Sequence, residues 1–166
     1  MVHYKDQGNM ETNTGGFNPE LFLDMPTDKA AVRRPPVASG LSFLGTIGEP
    51  KARVVQGKQD ASKTYVFCDI PITLDLSTSP SEVHRIGIDK VTLRHGISLD
   101  IGDDGQLDWS TGRNRGLAQY REALGLNDDG RTFTPRMLQG RIVRAKVKHR
   151  TNEGEIYDDI DSVAKP

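Results

Sequence analysis

Three observations predict a mainly β chain with one late helix and an extended N-terminal arm. Apolar and polar residues alternate with period two over residues 63–76, 90–101 and 140–150, and a strand is the element that sends successive side chains to opposite faces. Residues 113–124 instead repeat Leu117, Tyr120, Ala123 and Leu124 at helical spacing. Residues 1–38 show neither period: 1–16 are polar, and Arg33-Arg34-Pro35-Pro36 keeps the chain extended, because a residue before proline avoids the α region.

Taken in order, the arm holds one apolar cluster, Phe17, Leu21 and Phe22, through which it is expected to dock. Asn18 and Pro19 suit the cap and first position of a short helix there. The folded domain is expected over residues 39–166. Residues 41–56 read as a first strand that Gly45, Gly48 and Pro50 bend or bulge. Residues 57–62 are a polar turn. The second strand, 63–76, buries Val66, Cys68, Ile70, Ile72 and Leu74 and shows Lys63, Tyr65, Phe67, Asp69, Thr73 and Asp75. Residues 77–89 read as a loop around Ser79-Pro80. The third strand, 90–101, turns Val91, Leu93, His95, Ile97, Leu99 and Ile101 inward and Lys90, Thr92, Arg94, Ser98 and Asp100 outward. Helix 113–124 stops at Gly125, and Thr134-Pro135 opens a second short helical turn. The fourth strand, 140–150, buries Val143, Ala145 and Val147 and exposes Arg144, Lys146, Lys148 and Arg150. After a turn at 151–154, residues 155–163 return as a fifth strand with Glu155, Tyr157, Asp159 and Asp161 on one face.

Three strands, a helix and two strands is the order of an OB-fold-like barrel: five strands in a Greek key, with the helix between strands three and four. Such barrels bind oligonucleotides or oligosaccharides on the strand 2–3 face and its flanking loops. Here that face carries Lys63, Tyr65, Phe67 and Arg94. Aromatic rings stack bases and cations neutralise phosphates, and Arg144, Lys146, Lys148 and Arg150 extend the cationic set. Trp109 is a further stacking candidate. Two ordinary readings compete. The arm or a loop covers the aromatics, or the basic ladder simply pairs with Glu155, Asp159 and Asp161 across the hairpin.

The 166 residues carry 22 Lys and Arg against 23 Asp and Glu, a net charge of -1. Any polyanion site must therefore come from local segregation of charge. Cys68 is the only cysteine; on an apolar strand face it reads as a buried, inert thiol. No stretch is apolar and long enough to span a membrane, and no signal-peptide core is visible, so a cytoplasmic protein is expected. His95 and His149 fall on inward faces. Asp100, Asp103 and Asp104 lie beside a turn that does not match a calcium loop. They are the one grouping that suggests a metal-dependent nuclease, and no companion motif supports it. No catalytic residue and no cofactor are assigned.

Phe17-Asn-Pro-Glu-Leu-Phe-Leu23, Ser98-Leu-Asp-Ile101, Asn114-Arg-Gly-Leu117, Leu124-Gly-Leu126 and Met137-Leu-Gln-Gly140 running into Val147-Lys-His-Arg150 and Ile156-Tyr157 resemble a group of bacteriophage single-stranded DNA-binding proteins. The resemblance touches most of the chain from residue 17 onward. It implies an OB-fold, binding of transient single strands in DNA replication or recombination, and no enzymatic activity or cofactor. Replication or recombination proteins, or further copies of the chain, would be its partners. The C-terminus departs from many such proteins, because residues 158–166 read mostly as strand and not as a flexible acidic tail.

Overall fold

The structure is a computed structural model and describes Gly16 and residues 18–166. The chain divides into two units, Met1–Arg33 and Arg34–Pro166. In the first, α1 (Pro19–Phe22) forms where Asn18 accepts a hydrogen bond from the Glu20 amide at 2.9 Å. Proline suits its first position because the N–H it lacks would have no partner in the helix. Leu21, Phe22, Leu23 and Met25 are exposed. Phe17, also expected to dock the arm, lies outside the described residues, as do residues 1–15.

The second unit is built on six antiparallel strands: β1 (Ser42–Ile47), β2 (Lys51–Gln56), β3 (Thr64–Asp75), β4 (Lys90–Leu99), β5 (Ile142–Asn152) and β6 (Glu155–Ala164). The hydrogen-bonded order is β2-β3-β1-β5-β6, with β4 on the other edge of β3. Six strands replace the five expected because the first divides at residues 48–50. The Gly48 amide turns to the Pro71 carbonyl at 2.8 Å, and Pro50 has no N–H to continue a ladder. β1 then joins β3 to β5, while β2 follows the N-terminal half of β3.

The expected OB-fold-like barrel is not closed, and the strands form an open sheet. β4 and β6 approach one another but share no ladder. Helix α3 (Arg115–Ala123) packs against both. Its Gln119 side chain accepts from the Val163 amide of β6 at 3.4 Å, a donor that a closing strand would otherwise take.

Residues 77–89, expected as a loop, contain α2 (Pro80–Ile86). Pro80 starts it and Gly87, at φ 86°, ends it in the left-handed conformation, which glycine adopts without steric cost. Seven residues are too few for a periodic signal. Glu82 and Arg85 of α2 bind each other, and they also take the Ala38 amide at 3.0 Å and the Pro36 carbonyl at 2.7 Å. The same strap is tied to the hairpin: Asp158 accepts from Arg34 at 2.7 Å and from the Val37 amide at 2.8 Å. The second unit thus begins at Arg34, inside the span 1–38 expected as arm, with Val37 fully buried.

Alternation holds in β5, where Val143, Ala145 and Val147 are at most 1% exposed. Each buried valine contributes about 1.5–2 kcal/mol. Leu117 and Tyr120 of α3 and Leu138 of a 3-10 turn (Pro135–Leu138) complete the core from the helical side. The β5–β6 hairpin turns at Glu153 and Gly154, with φ of 50° and 81°, the paired positive angles of a tight two-residue connection.

Candidate nucleic-acid interface

The outward face of β2, β3 and β4 assembles four of the eight sequence-predicted residues. Tyr65, Phe67 and Asp69 alternate along β3. Val55, Arg53 and Lys51 stand opposite them on β2, and Ser98 and Gly96 stand opposite Phe67 and Asp69 on β4. Tyr65 is 48% exposed. It lines an open groove of about 600 Å³ with Ser98, Asp100, Ile101, Asp108 and Arg113. Phe67 is half-buried, with the Arg53 guanidinium 4.7 Å from its ring centroid. Arg53 Nε also donates to Asp69 Oδ2 at 2.6 Å, and Arg94 reaches the same oxygen at 3.9 Å. Lys63 is exposed at the end of the turn, which is closed by Gly57 donating to the Lys63 carbonyl. In that turn the Ser62 hydroxyl and amide hold the Asp60 carboxyl below its ordinary range.

The basic ladder of β5 divides into two halves. Lys148 Nζ lies 3.9 Å from Asp161 Oδ1, and Arg150 Nε lies 3.8 Å from Asp159 Oδ2. Arg150 also covers the Tyr157 ring at 5.2 Å. These two cations are thus shared with the return strand. Arg144 and Lys146 stand beside Leu44 and Ser42 of β1, with no ion-pair partner among the described residues.

Register decides which of these groups meet. Thr46 faces Thr73 on one side and Ile142 on the other. Phe67 lies six residues before Thr73, and Arg144 lies two residues beyond Ile142 in the opposite sense along the sheet. That offset is roughly 25–30 Å at strand rise. The aromatic pair and the Arg144–Lys146 half are therefore not brought together. Across the open seam, however, Lys148, Asp159 and Asp161 lie close enough to β4 to act on the charge of His95.

Several functional-looking groups have structural partners. His95 Nδ1 meets the Tyr120 hydroxyl at 2.6 Å, and His149 Nε2 meets the Val37 carbonyl at 2.8 Å. Burial pushes His95 down and Tyr120 up from their ordinary values. Burial, aided by the Asp69 charge, pushes the Cys68 thiol up, which disfavours thiolate chemistry. Asp100 accepts from the Asn114 amide at 2.8 Å and pairs with Arg113. Among the described residues no group of three or more His, Cys, Asp or Glu is arranged to hold a metal. Trp109 sits against Arg121, whose guanidinium lies 4.7 Å from the Trp109 ring and 4.8 Å from Phe133. No helix of the described residues is long and apolar enough to cross a membrane.

Sequence reasoning missed Arg53 and the burial of Asp69. The alternation of Lys51, Arg53 and Val55 was available, but their partners depend on where the strand breaks. Comparison of the chain with protein-family models and with curated proteins finds no match.

Proposed function

We propose that this protein binds single-stranded DNA through the outward face of β2, β3 and β4, on an OB-like scaffold whose barrel is left ajar. Its role would be to coat and protect transient single strands in phage DNA replication or recombination. One observation carries the reading. Tyr65 and Phe67 stand two residues apart on an outward strand face, Tyr65 at the edge of a groove, with Arg53, Lys63 and Arg94 nearby. Bases stack on such rings whatever their identity, and each stacked base is worth about 1–3 kcal/mol. The surrounding cations take the backbone charge. Arg144 and Lys146 would engage a strand long enough to continue across β1.

The test is a titration of labelled single- and double-stranded oligonucleotides at several salt concentrations. Single-strand preference with a log–log salt slope on the order of -2 to -3.5 is expected, from roughly three to five phosphates at about 0.7 each. Absence of single-strand binding at low salt would remove the proposal.

A second reading, a protein-docking module, is favoured by one feature. Leu44 and Ile142 are 39% and 49% exposed beside a shallow cavity of about 220 Å³ between β1, β3 and β5. Replacing both with serine separates the two readings. Single-strand affinity should be unchanged if the β2–β4 face is the site.

A further inference from the structure

The centre of the β2–β4 face holds a carboxylate oxygen that has no hydrogen-bond partner among the described residues. Asp69 is 8% exposed. Its Oδ2 is taken by Arg53 at 2.6 Å, with Arg94 at 3.9 Å. Its Oδ1 is buried and bonded to nothing among the described residues. A buried acceptor left in this state costs about as much as a lost hydrogen bond, and a fully satisfied network would not leave it so. The same oxygen lies beneath a notch in β4. Gly96 stands opposite Asp69, and a Cβ placed on Gly96 would lie 3.1 Å from Oδ1 and 3.7 Å from Arg53 Nη2. Glycine places no side chain over the buried oxygen, and Phe67 lies on the same strand face two residues away.

We infer that Asp69 Oδ1 reads the amino edge of a base held on the Phe67 platform, so that the site favours bases carrying an exocyclic amino group over thymine. The inference rests on the single-strand reading above. An ionised carboxylate only accepts hydrogen bonds. The cytosine 4-amino group is the donor that carboxylates commonly take from a base edge. Thymine has a carbonyl at that position, and two oxygens facing each other repel. The Arg53 guanidinium covers the Phe67 ring. The incoming base displaces its guanidinium from Phe67, the base amino group takes Oδ1, and Arg53 turns toward the adjoining phosphate. Stacking thus supplies affinity for any base, and the carboxylate adds a bias in composition.

Cytosine and thymine present rings of similar size but opposite hydrogen-bonding groups along the position 3–4 edge, so oligo-dC and oligo-dT of equal length test the contact, with oligo-dU as the control for the thymine methyl. The full chain should bind oligo-dC on the order of tenfold more tightly than oligo-dT at the same salt. Gly96→Ala fills the notch and should bring the two affinities to within about twofold, chiefly by weakening oligo-dC; thermal melting of this variant reports whether it folds. Equal affinities, or tighter oligo-dT binding, by the unaltered protein would overturn the inference and leave the single-strand reading standing. A preference for oligo-dC that survives Gly96→Ala in a folded protein would also overturn it, because the contact would then not pass through the notch. If neither oligonucleotide binds at low salt, both readings fall.

Discussion

Tyr65 and Phe67 share a strand face but not an environment. Tyr65 is half-open to the groove, whereas Phe67 carries Arg53 on its ring. Tyr65→Ala should therefore lose about 1–3 kcal/mol of single-strand affinity with little change in melting temperature. On the proposed reading Phe67→Ala takes away a stacking platform; it also removes the Arg53 cation–π contact, worth about 0.5–1 kcal/mol near a surface. It should lower both affinity and melting temperature. Melting curves and anisotropy titrations of the two variants check this. If both changes lowered stability and left affinity alone, the rings would belong to the fold and not to a binding face.

At the scale of elements, β5 pairs with β6 along most of its length, while only Ile142–Lys146 also pair with β1. Changing Arg144 and Lys146 together to alanine should flatten the single-strand salt slope by about 1.4 if both neutralise phosphate, with stability nearly unchanged. Changing Lys148 and Arg150 should flatten it less and cost a few tenths of a kcal/mol per pair, the usual worth of an exposed ion pair. Equal slopes for all three proteins would take β5 out of the interface. Helix α2 offers a separate test of fold. Gly87 adopts φ 86°, so Gly87→Ala should cost about 1 kcal/mol, read as a lower denaturant midpoint at unchanged slope.

For the whole second unit, the strap at residues 34–38 sets both its boundary and its acid stability. Removal through residue 38 strips partners from Asp158, Glu82 and His149 and should cost on the order of 3–5 kcal/mol. Burial raises the Asp158 carboxyl, but the Arg34 hydrogen bond and the Val37 amide overcome it and hold the group below its ordinary value. Glu82 is held low by Arg85, against burial and with help from the Ala38 amide. A carboxyl depressed on folding stabilises above its unfolded pKa, near 4, and that contribution is lost as pH falls through the folded value. Half-buried His95 is also depressed, chiefly by desolvation, so the unfolded chain gains a proton first, below about pH 6.5. The melting temperature should decline gently below that pH and steeply below about pH 4. Asp158→Asn should remove part of the steep phase, and an unchanged profile would show that the strap does not carry it.

The sequence by itself determined the faces. Strict alternation marked Val143, Ala145 and Val147 as core and Arg144 and Lys146 as surface, and it put Tyr65 and Phe67 on one outward row, because the two-residue period of a strand is local and independent of its neighbours. It also identified α3 and the hairpin turn from helical spacing and turn chemistry. Tertiary structure decided the neighbours. Whether residues 41–56 make one strand or two depends on β3 being present to take the Gly48 amide. The seam between β4 and β6 stays open around α3, a packing outcome that no local period encodes. Register, fixed by pairing between distant segments, set the Arg144–Lys146 half far from Phe67 along the sheet. It also laid Arg53 over Phe67 and left Asp69 Oδ1 beside Gly96 without a donor among the described residues, the arrangement on which the proposed base contact rests.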